Sequence, residues 1–291
     1  GVYRDVNLIE VSDCRFTMND YGSDGIYITP RRVGEDGWEL SIKALIDNAD
    51  CSHKARFTLI DADGNEKAST IADLRPIISA KLPVEDPVLW NGRKNPYLYT
   101  VRCEIFDSTT QEVTDNIDIR TGLREYHIDS HKGFFLNGEH IKLQGVSRHQ
   151  DRENMGNAIT EKQHAEDVKL ILDVGANSVR LAHYQQNSYF YDLCDESGLL
   201  VWAEVPVISR FSPKRNENAE QQLVELIKQN YNHPSIFCWG IENEITIAGS
   251  ASKKLITFLK HMHKVARHLD PTRYTTCAQL TMCPVNSPLN H

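Results

Sequence analysis

The sequence lacks any run of apolar residues close to the ~20 that a membrane-spanning helix needs, which argues against a membrane span. Its seven cysteines include no CxxC pair, so we expect reduced, mostly buried thiols and neither a disulfide framework nor a zinc site. No Asn-x-Ser/Thr glycosylation site is present. Basic clusters are missing too, and the formal net charge of −8 argues against a nucleic-acid partner.

Two motifs of common enzyme classes are also missing. No Gly-x-Gly-x-x-Gly follows the first parallel strand, which argues against a dinucleotide-binding fold. No Gly-x-Ser-x-Gly is present, so a serine hydrolase is poorly supported. The chain starts at Gly1 without a Met or a signal peptide, and we expect Gly1 to lie within a longer polypeptide. The compartment stays open, either the cytoplasm or the periplasm of a bacterium.

Residues 1 to about 122 have the pattern of β-structure. The chain of 291 residues is long enough for two domains, and 40% hydrophobic with 25% charged residues is typical of a globular protein. Segments 6–11, 38–44 and 99–106 alternate apolar and polar residues with the period of a strand. Several short strands separated by turn signals predict a two-sheet β-sandwich.

From about residue 141 the pattern changes to alternating strands and helices. We predict strands at 141–146, 178–182, 199–204, 235–241 and 274–279, and helices at about 160–173, 187–197, 217–230 and 251–269. Gly175 and Gly198 stand where helices are expected to end. Repeated strand–helix units require a parallel sheet, either a closed barrel or a doubly wound sheet. Only about four and a half such units fit before residue 291, so a barrel would lack its second half.

Polar side chains gather where each predicted parallel strand ends, and such ends share one edge of the sheet. They are Arg148, His149 and Asp151, then Arg180, His183 and Tyr184, then Glu204, and finally Glu242, Asn243 and Glu244. Glycosidic bond cleavage needs an acid to protonate the leaving oxygen and a second carboxylate as nucleophile or base, while amide, imidazole and guanidinium groups can hold sugar hydroxyls. The pattern therefore favours sugar chemistry.

Simpler interpretations of the same residues stay open at this point. His149 and His183 could be structural histidines, and Glu204 could be the ion-pair partner of Arg180. The two glutamates after the fourth strand could lie in a solvated loop. If one of them is the acid, the spacing does not choose between Glu242 and Glu244.

Several motifs occur together and in a fixed order. They are Gly1-Val2-Tyr3-Arg4-Asp5-Val6, Trp90 with Pro96-Tyr97-Leu98-Tyr99, Gly122-Leu123-Arg124, Leu136-Asn137-Gly138-Glu139 to Gly145-Val146-Ser147-Arg148-His149, Asn177-Ser178-Val179-Arg180-Leu181-Ala182-His183-Tyr184, and Asn232-His233-Pro234-Ser235 to Asn243-Glu244. With these motifs the chain resembles glycoside hydrolase family 2, which includes β-galactosidases, β-glucuronidases and β-mannosidases. The resemblance covers nearly the whole chain.

The resemblance implies an all-β immunoglobulin-like sandwich at residues 1–124, followed at 125–291 by the N-terminal half of an α/β TIM barrel. It also implies that Glu244 is the general acid/base, which leaves Glu242 without a role. Asn243 then corresponds to the amide that contacts the sugar 2-hydroxyl. His149, Arg180, His183 and Glu204 align with residues that line the substrate pocket.

Two departures from the family pattern carry expectations. The family's nucleophile is a second Glu after the seventh barrel strand, so we expect this polypeptide to lack it and to be inactive alone. The positions of a magnesium-binding Glu and His in some β-galactosidases here hold Ile208 and Arg210, so we expect no metal there. No cofactor is expected either. Exposed strand edges and helix faces of a half-barrel predict self-association.

The leading functional prediction is a retaining glycosidase that cleaves terminal β-galactosides by double displacement. A β-glucuronidase or β-mannosidase of the same family is the enzyme alternative. A non-catalytic carbohydrate-binding module is the alternative from another class. The substrate is then a β-linked glycoside or oligosaccharide in each enzyme case.

Overall fold

The computed structural model describes residues 2–4, 6–34, 37–248 and 251–280. Backbone contacts divide the chain into two compact units. The first consists of residues 1–142, 195–198 and 229–234, and the second of residues 143–194, 199–228 and 235–291. The domain boundary expected at residues 124/125 stays a prediction. Within the described residues, no helix has both the length and the apolar composition needed to cross a membrane.

The first unit is built of β-strands. They are β1 (Arg15–Phe16), β2 (Ile26–Val33), β3 (Gly37–Asp47), β4 (His53–Ile60), β5 (Glu66–Asp73), β6 (Ile77–Val84), β7 (Trp90–Asn91), β8 (Asn95–Pro96), β9 (Tyr99–Asp107), β10 (Val113–Thr121), β11 (Tyr126–Asp129), β12 (Gly133–Leu136) and β13 (Glu139–His140), with a 3-10 helix at Gly92–Lys94. One antiparallel sheet has the order β1-β3-β2 with β6 also paired to β3, and a second has the order β10-β9-β4-β5. Two small sheets, β7-β8 and β11-β12-β13, complete the unit.

The two larger sheets share one apolar core. On β3 the buried residues alternate with less buried ones, as the sequence pattern predicts. Leu40 and Ile42 of β3 belong to the same buried cluster as Phe57 and Leu59 of β4. Burying a side chain of this size contributes roughly 1.5–3 kcal/mol. The predicted β-sandwich is therefore confirmed.

The predicted strand at residues 6–11 is wrong. These residues form no regular secondary structure, and Val6, Leu8 and Ile9 are exposed. Alternation produces a strand only where a neighbouring strand supplies backbone hydrogen bonds and a surface to bury. Among the described residues, no strand pairs with this segment.

Three of the sequence motifs pack against one another within the first unit. A Cβ atom on Gly122 would lie 2.8 Å from Cβ of Trp90 and 2.9 Å from Cβ of Pro234, so only glycine fits there. Trp90 is fully buried, and its indole donates to the backbone oxygen of Asp195 at 2.9 Å. The Arg124 side chain donates to the backbone oxygen of Pro234 at 3.2 Å. These contacts explain why the motifs occur together.

The second unit alternates strands and helices. It contains β14 (Gly145–Arg148), α1 (Glu161–Asp173), β15 (Ser178–Leu181), α2 (Ser188–Ser197), β16 (Leu200–Glu204), a 3-10 helix at Pro213–Arg215, α3 (Asn216–Gln229), β17 (Ile236–Asn243), α4 (Lys253–Leu269) and β18 (Tyr274–Ala278), although the last residues of α2 and α3 belong to the first unit. All strands are parallel, in the order β14-β15-β16-β17-β18. The first half of the expected barrel is confirmed.

Helix ends follow the expected chemistry. The side chain of Ser252 accepts the Leu255 N–H at 3.2 Å, which satisfies one of the unpaired donors at the start of α4. Gly175 and Gly198 have φ values of +78° and +71°, the left-handed conformation that commonly ends a helix. Six cysteines are free in the described residues, and Cys283 lies outside them.

Candidate active site

The residues predicted to form the site all belong to the second unit and lie where its parallel strands end. His149 directly follows β14, Arg180 lies in β15 with His183 just after it, Glu204 ends β16, Asn243 ends β17, and Glu244 follows. In a parallel barrel this edge carries the active site. The structure connects four of the six residues by hydrogen bonds.

The network is centred on an ion pair between the partly exposed Arg180 and the buried Glu204. Nε of Arg180 donates to Oε2 of Glu204 at 3.0 Å, and an Nη atom donates to Oε1 at 3.0 Å. The Glu204 side chain is 0% exposed. A bidentate pair of this kind holds both groups in one geometry. The interpretation of Glu204 as the ion-pair partner of Arg180 is thus correct, and the pair also organises the neighbouring polar residues.

His183 and Asn243 join the same ion pair. Nδ1 of His183 lies 2.5 Å from Oε1 of Glu204, so this contact fixes the imidazole. The Arg180 guanidinium donates to Oδ1 of Asn243 at 2.6 Å. Because the carbonyl oxygen of the amide is taken by Arg180, the Asn243 Nδ2 group is oriented as a donor. An amide donor next to Glu244 is the arrangement that a sugar hydroxyl would need.

His149 is placed by aromatic contacts. Its ring meets the ring of His183 edge-on, with 5.1 Å between centroids, and lies 6.1 Å from the ring of Tyr184. The Tyr184 hydroxyl accepts the Gln150 N–H at 3.1 Å, which ties this aromatic group to the loop after β14. Tyr184 is one of the polar residues that the sequence places at the strand ends, and the structure places its ring beside that of His149.

Arg148 has a structural role. It is buried, and it donates to Oδ2 of Asp167 on α1 at 2.9 and 2.7 Å. Its guanidinium also stacks over the Phe190 ring, 3.9 Å from the centroid. Burial lowers the pKa of Arg148, and the Asp167 carboxylate opposes that shift. These contacts hold α1 and α2 against the end of β14.

The backbone around Glu244 is held in an uncommon conformation. Glu244 has φ +47°, in the left-handed region that costs a non-glycine residue about 1–2 kcal/mol. Its N–H donates to the oxygen of Ala278 in β18 at 2.8 Å, and its C=O accepts the Ile247 N–H at 2.9 Å. A strained residue that several contacts hold in place is typical of functional sites.

Glu242 lies inside β17 and not in the loop after it. Its side chain is 0% exposed, so the solvated-loop interpretation is wrong for this residue. Oε2 accepts the Ile245 N–H at 3.1 Å, while Oε1 is buried and accepts no N–H or O–H group from the described residues. Burial raises the pKa of Glu242 to about 7, and the Glu204 charge adds to the rise.

The raised pKa makes a stability prediction for Glu242→Gln. The unfolded carboxyl loses its proton near pH 4.5, whereas the folded one keeps it to about pH 7, so this stabilisation is full at low pH and lost as pH rises through 7. Cys277, Glu204 and Arg180 are the titratable or charged groups that act on it. Between about pH 5 and about pH 8, the wild type should lose roughly 2–3 kcal/mol of unfolding free energy relative to Glu242→Gln. Urea unfolding at both pH values measures this, and a constant difference between the two proteins would contradict it.

Metal binding is not indicated by the six predicted residues. Ile208 bridges to Asn243 through the backbone, and Arg210 is exposed. The absence of magnesium beside Glu244 stays a prediction. In the first unit, donor atoms of Cys14, Asp50 and His53 lie within 4.8 Å of one another, but Asp50 already accepts hydrogen bonds from Ser52 and contacts the His53 ring at 3.0 Å.

Two models of one protein family match most of the chain. Residues 128–288 match the model described as "Glycosyl hydrolases family 2, TIM barrel domain", and residues 24–124 match the model "Glycosyl hydrolases family 2". The chain belongs to glycoside hydrolase family 2. The expected family and the sandwich-plus-barrel fold are thus both confirmed.

Individual relatives within family 2 carry two enzyme names. A β-glucuronidase of Bacteroides fragilis is 38% identical over 96% of this chain, which spans 42% of that protein. A β-galactosidase of Thermoanaerobacter pseudethanolicus is 30% identical over 94% of this chain, which spans 36% of that protein. The crystal structure of an FMN-binding β-glucuronidase from Facaelibacterium prausnitzii is 40% identical, with a TM-score of 0.92 over 97% of this chain and 43% of that one. This chain therefore spans about two fifths of the length of these relatives.

Proposed function

We propose that this family 2 chain supplies the proton-donating part of a retaining glycosidase site, with Glu244 as the general acid/base. The supporting observation is the hydrogen-bond network that orients Asn243 next to Glu244. In this mechanism Glu244 protonates the glycosidic oxygen while a second carboxylate attacks the anomeric carbon. Glu244 then takes a proton from the water that releases the sugar. The Asn243 amide donates to the sugar 2-hydroxyl, and His149 and His183 line the pocket.

A second carboxylate is needed for double displacement, about 5–5.5 Å from the first. Besides Glu244, the glutamates at the strand ends are Glu204 and Glu242. Both are 0% exposed, and Glu204 is paired with Arg180. A fully buried carboxylate is poorly placed to attack a substrate carbon. We therefore propose that the nucleophile is none of these residues.

The 291-residue polypeptide alone should then show no hydrolysis. Nitrophenyl β-galactoside and nitrophenyl β-glucuronide are incubated with the purified polypeptide, and nitrophenol release is expected to equal that of buffer. Turnover that Glu244→Gln abolishes would contradict this expectation. The expected self-association of the polypeptide also stays a prediction.

For the substrate, we propose a terminal β-galactoside, supported by the name of the T. pseudethanolicus relative, with a β-glucuronide as the second and equally supported candidate. The second candidate is supported by the names of the B. fragilis and F. prausnitzii relatives. The sugars differ at C6, where the glucuronide carries a carboxylate. The ratio of kcat/KM for the two nitrophenyl glycosides, measured on the full gene product, decides between them. Binding without hydrolysis of either would instead support a carbohydrate-binding module.

A further inference from the structure

The fully buried side chain of Glu242 has no role in the chemistry proposed above. Burying an ionisable side chain to 0% exposure costs free energy, because a buried charge or an unpaired polar atom is unfavourable. A buried glutamate without a role is therefore unexpected. Oε1 accepts no N–H or O–H group from the described residues. At the matching position of β18 lies Cys277, whose thiol contacts the Glu242 carboxyl group. Leucine or valine would fill this part of the sheet at a lower cost in free energy.

What Glu242 contacts is the turn that carries Glu244. Oε2 of Glu242 accepts the N–H of Ile245 at 3.1 Å, so it holds the peptide group immediately after Glu244. Two backbone hydrogen bonds hold Glu244 itself, one to Ala278 and one from Ile247. The hydrogen bond from the Ile245 N–H to Glu242 adds a side-chain restraint to the backbone bonds of this turn.

We propose that Glu242 is a positioning residue for Glu244: its carboxyl group anchors the Ile245 amide and thereby fixes the direction in which the Glu244 side chain leaves the sheet. This inference rests on the proposed acid/base role of Glu244. A misplacement of a catalytic group by about 1 Å can cost on the order of 100-fold in rate. Without the anchor, the φ +47° conformation of Glu244 has one restraint fewer and competes with ordinary backbone conformations.

The test compares Glu242→Met with Glu242→Gln in the full gene product. Methionine has the same length as glutamate but no oxygen, so the Ile245 N–H loses its acceptor. Glutamine keeps an oxygen for that N–H. Activity is measured as kcat/KM on two aryl glycosides of the preferred sugar, a mononitrophenyl glycoside, whose less acidic leaving group is helped by a proton, and a dinitrophenyl glycoside, whose leaving group departs without one.

Glu242→Met should lower kcat/KM, which reports the step that expels the leaving group, by about 10–100-fold on the mononitrophenyl glycoside and less than about threefold on the dinitrophenyl glycoside. Glu242→Gln should restore most of the lost activity on the first substrate. A purely structural role would lower both activities alike, because it reduces the amount of folded enzyme. Ile241→Val, a buried neighbour on the same strand, is the matched control and should leave the ratio of the two activities unchanged.

Equal losses on both substrates, or no loss with Glu242→Met, would overturn the proposal. If Glu242→Met does not fold, as judged by circular dichroism, Glu242→Asp makes the same test, since its carboxyl group is one methylene too short for the Ile245 amide. Glu244→Gln is measured in parallel. If that variant shows no loss specific to the mononitrophenyl glycoside, the acid/base role fails. If it shows the loss and Glu242→Met does not, only the positioning role fails.

Discussion

Glu244→Gln should lower kcat for a mononitrophenyl glycoside by about 10²–10⁴-fold in the full gene product, because glutamine cannot give a proton to the leaving oxygen. KM should fall as well, because glutamine cannot take the proton from the water that releases the sugar and the glycosyl-enzyme accumulates. Steady-state kinetics on the preferred sugar measure both constants.

The control for Glu244→Gln is Glu161→Gln, which removes one exposed carboxylate at the start of α1 in the same unit. It should leave kcat unchanged within about twofold, because an exposed carboxylate outside the hydrogen-bond network of the site has little effect. A comparable fall in both variants, or none in Glu244→Gln, would contradict the acid/base assignment.

Arg180→Ala should destabilise the protein by about 3–5 kcal/mol, because it leaves the fully buried Glu204 charge without its partner. The same change removes the donor that orients Asn243, so kcat should fall as well. Urea unfolding gives the free energy, and kinetics on the folded variant give the second effect.

Arg102→Ala is a matched control for this ion pair. Arg102 and Asp118 form a bidentate pair with the same 3.0 Å distances, but their side chains are 49% and 46% exposed. Exposed pairs contribute about 0–1 kcal/mol, since water screens the charges. Similar losses of unfolding free energy in Arg180→Ala and Arg102→Ala would show that the burial of Glu204 does not determine the destabilisation.

The fold was predictable wherever the apolar pattern was long and bounded by clear signals. The four predicted helices in the second unit match α1 to α4 within two residues at each end. The first parallel strand, predicted at 141–146, instead begins at Gly145, where the ladder with Ser178 begins, and residues 142–144 before it are exposed. Segment 6–11 failed for the same reason: pairing is a long-range property that alternation within one segment does not contain.

The site was predictable as a set of residues but not as a network. Strand order brings Arg180, Glu204 and Asn243 to one edge, and this follows from the sequence pattern. That one guanidinium joins Glu204 and Asn243 depends on side-chain conformations, which no spacing rule supplies. Glu242 was missed because β17 runs two residues further than its apolar run, and the register with Cys277 buries the acid.

The pH dependence of kcat/KM tests the central claim most directly. If Glu244 supplies the proton that the leaving group receives, the alkaline limb of the pH profile should vanish in Glu244→Gln while it persists in Glu242→Gln. An alkaline limb that persists in Glu244→Gln and vanishes in Glu242→Gln would contradict the account and identify Glu242 as the acid.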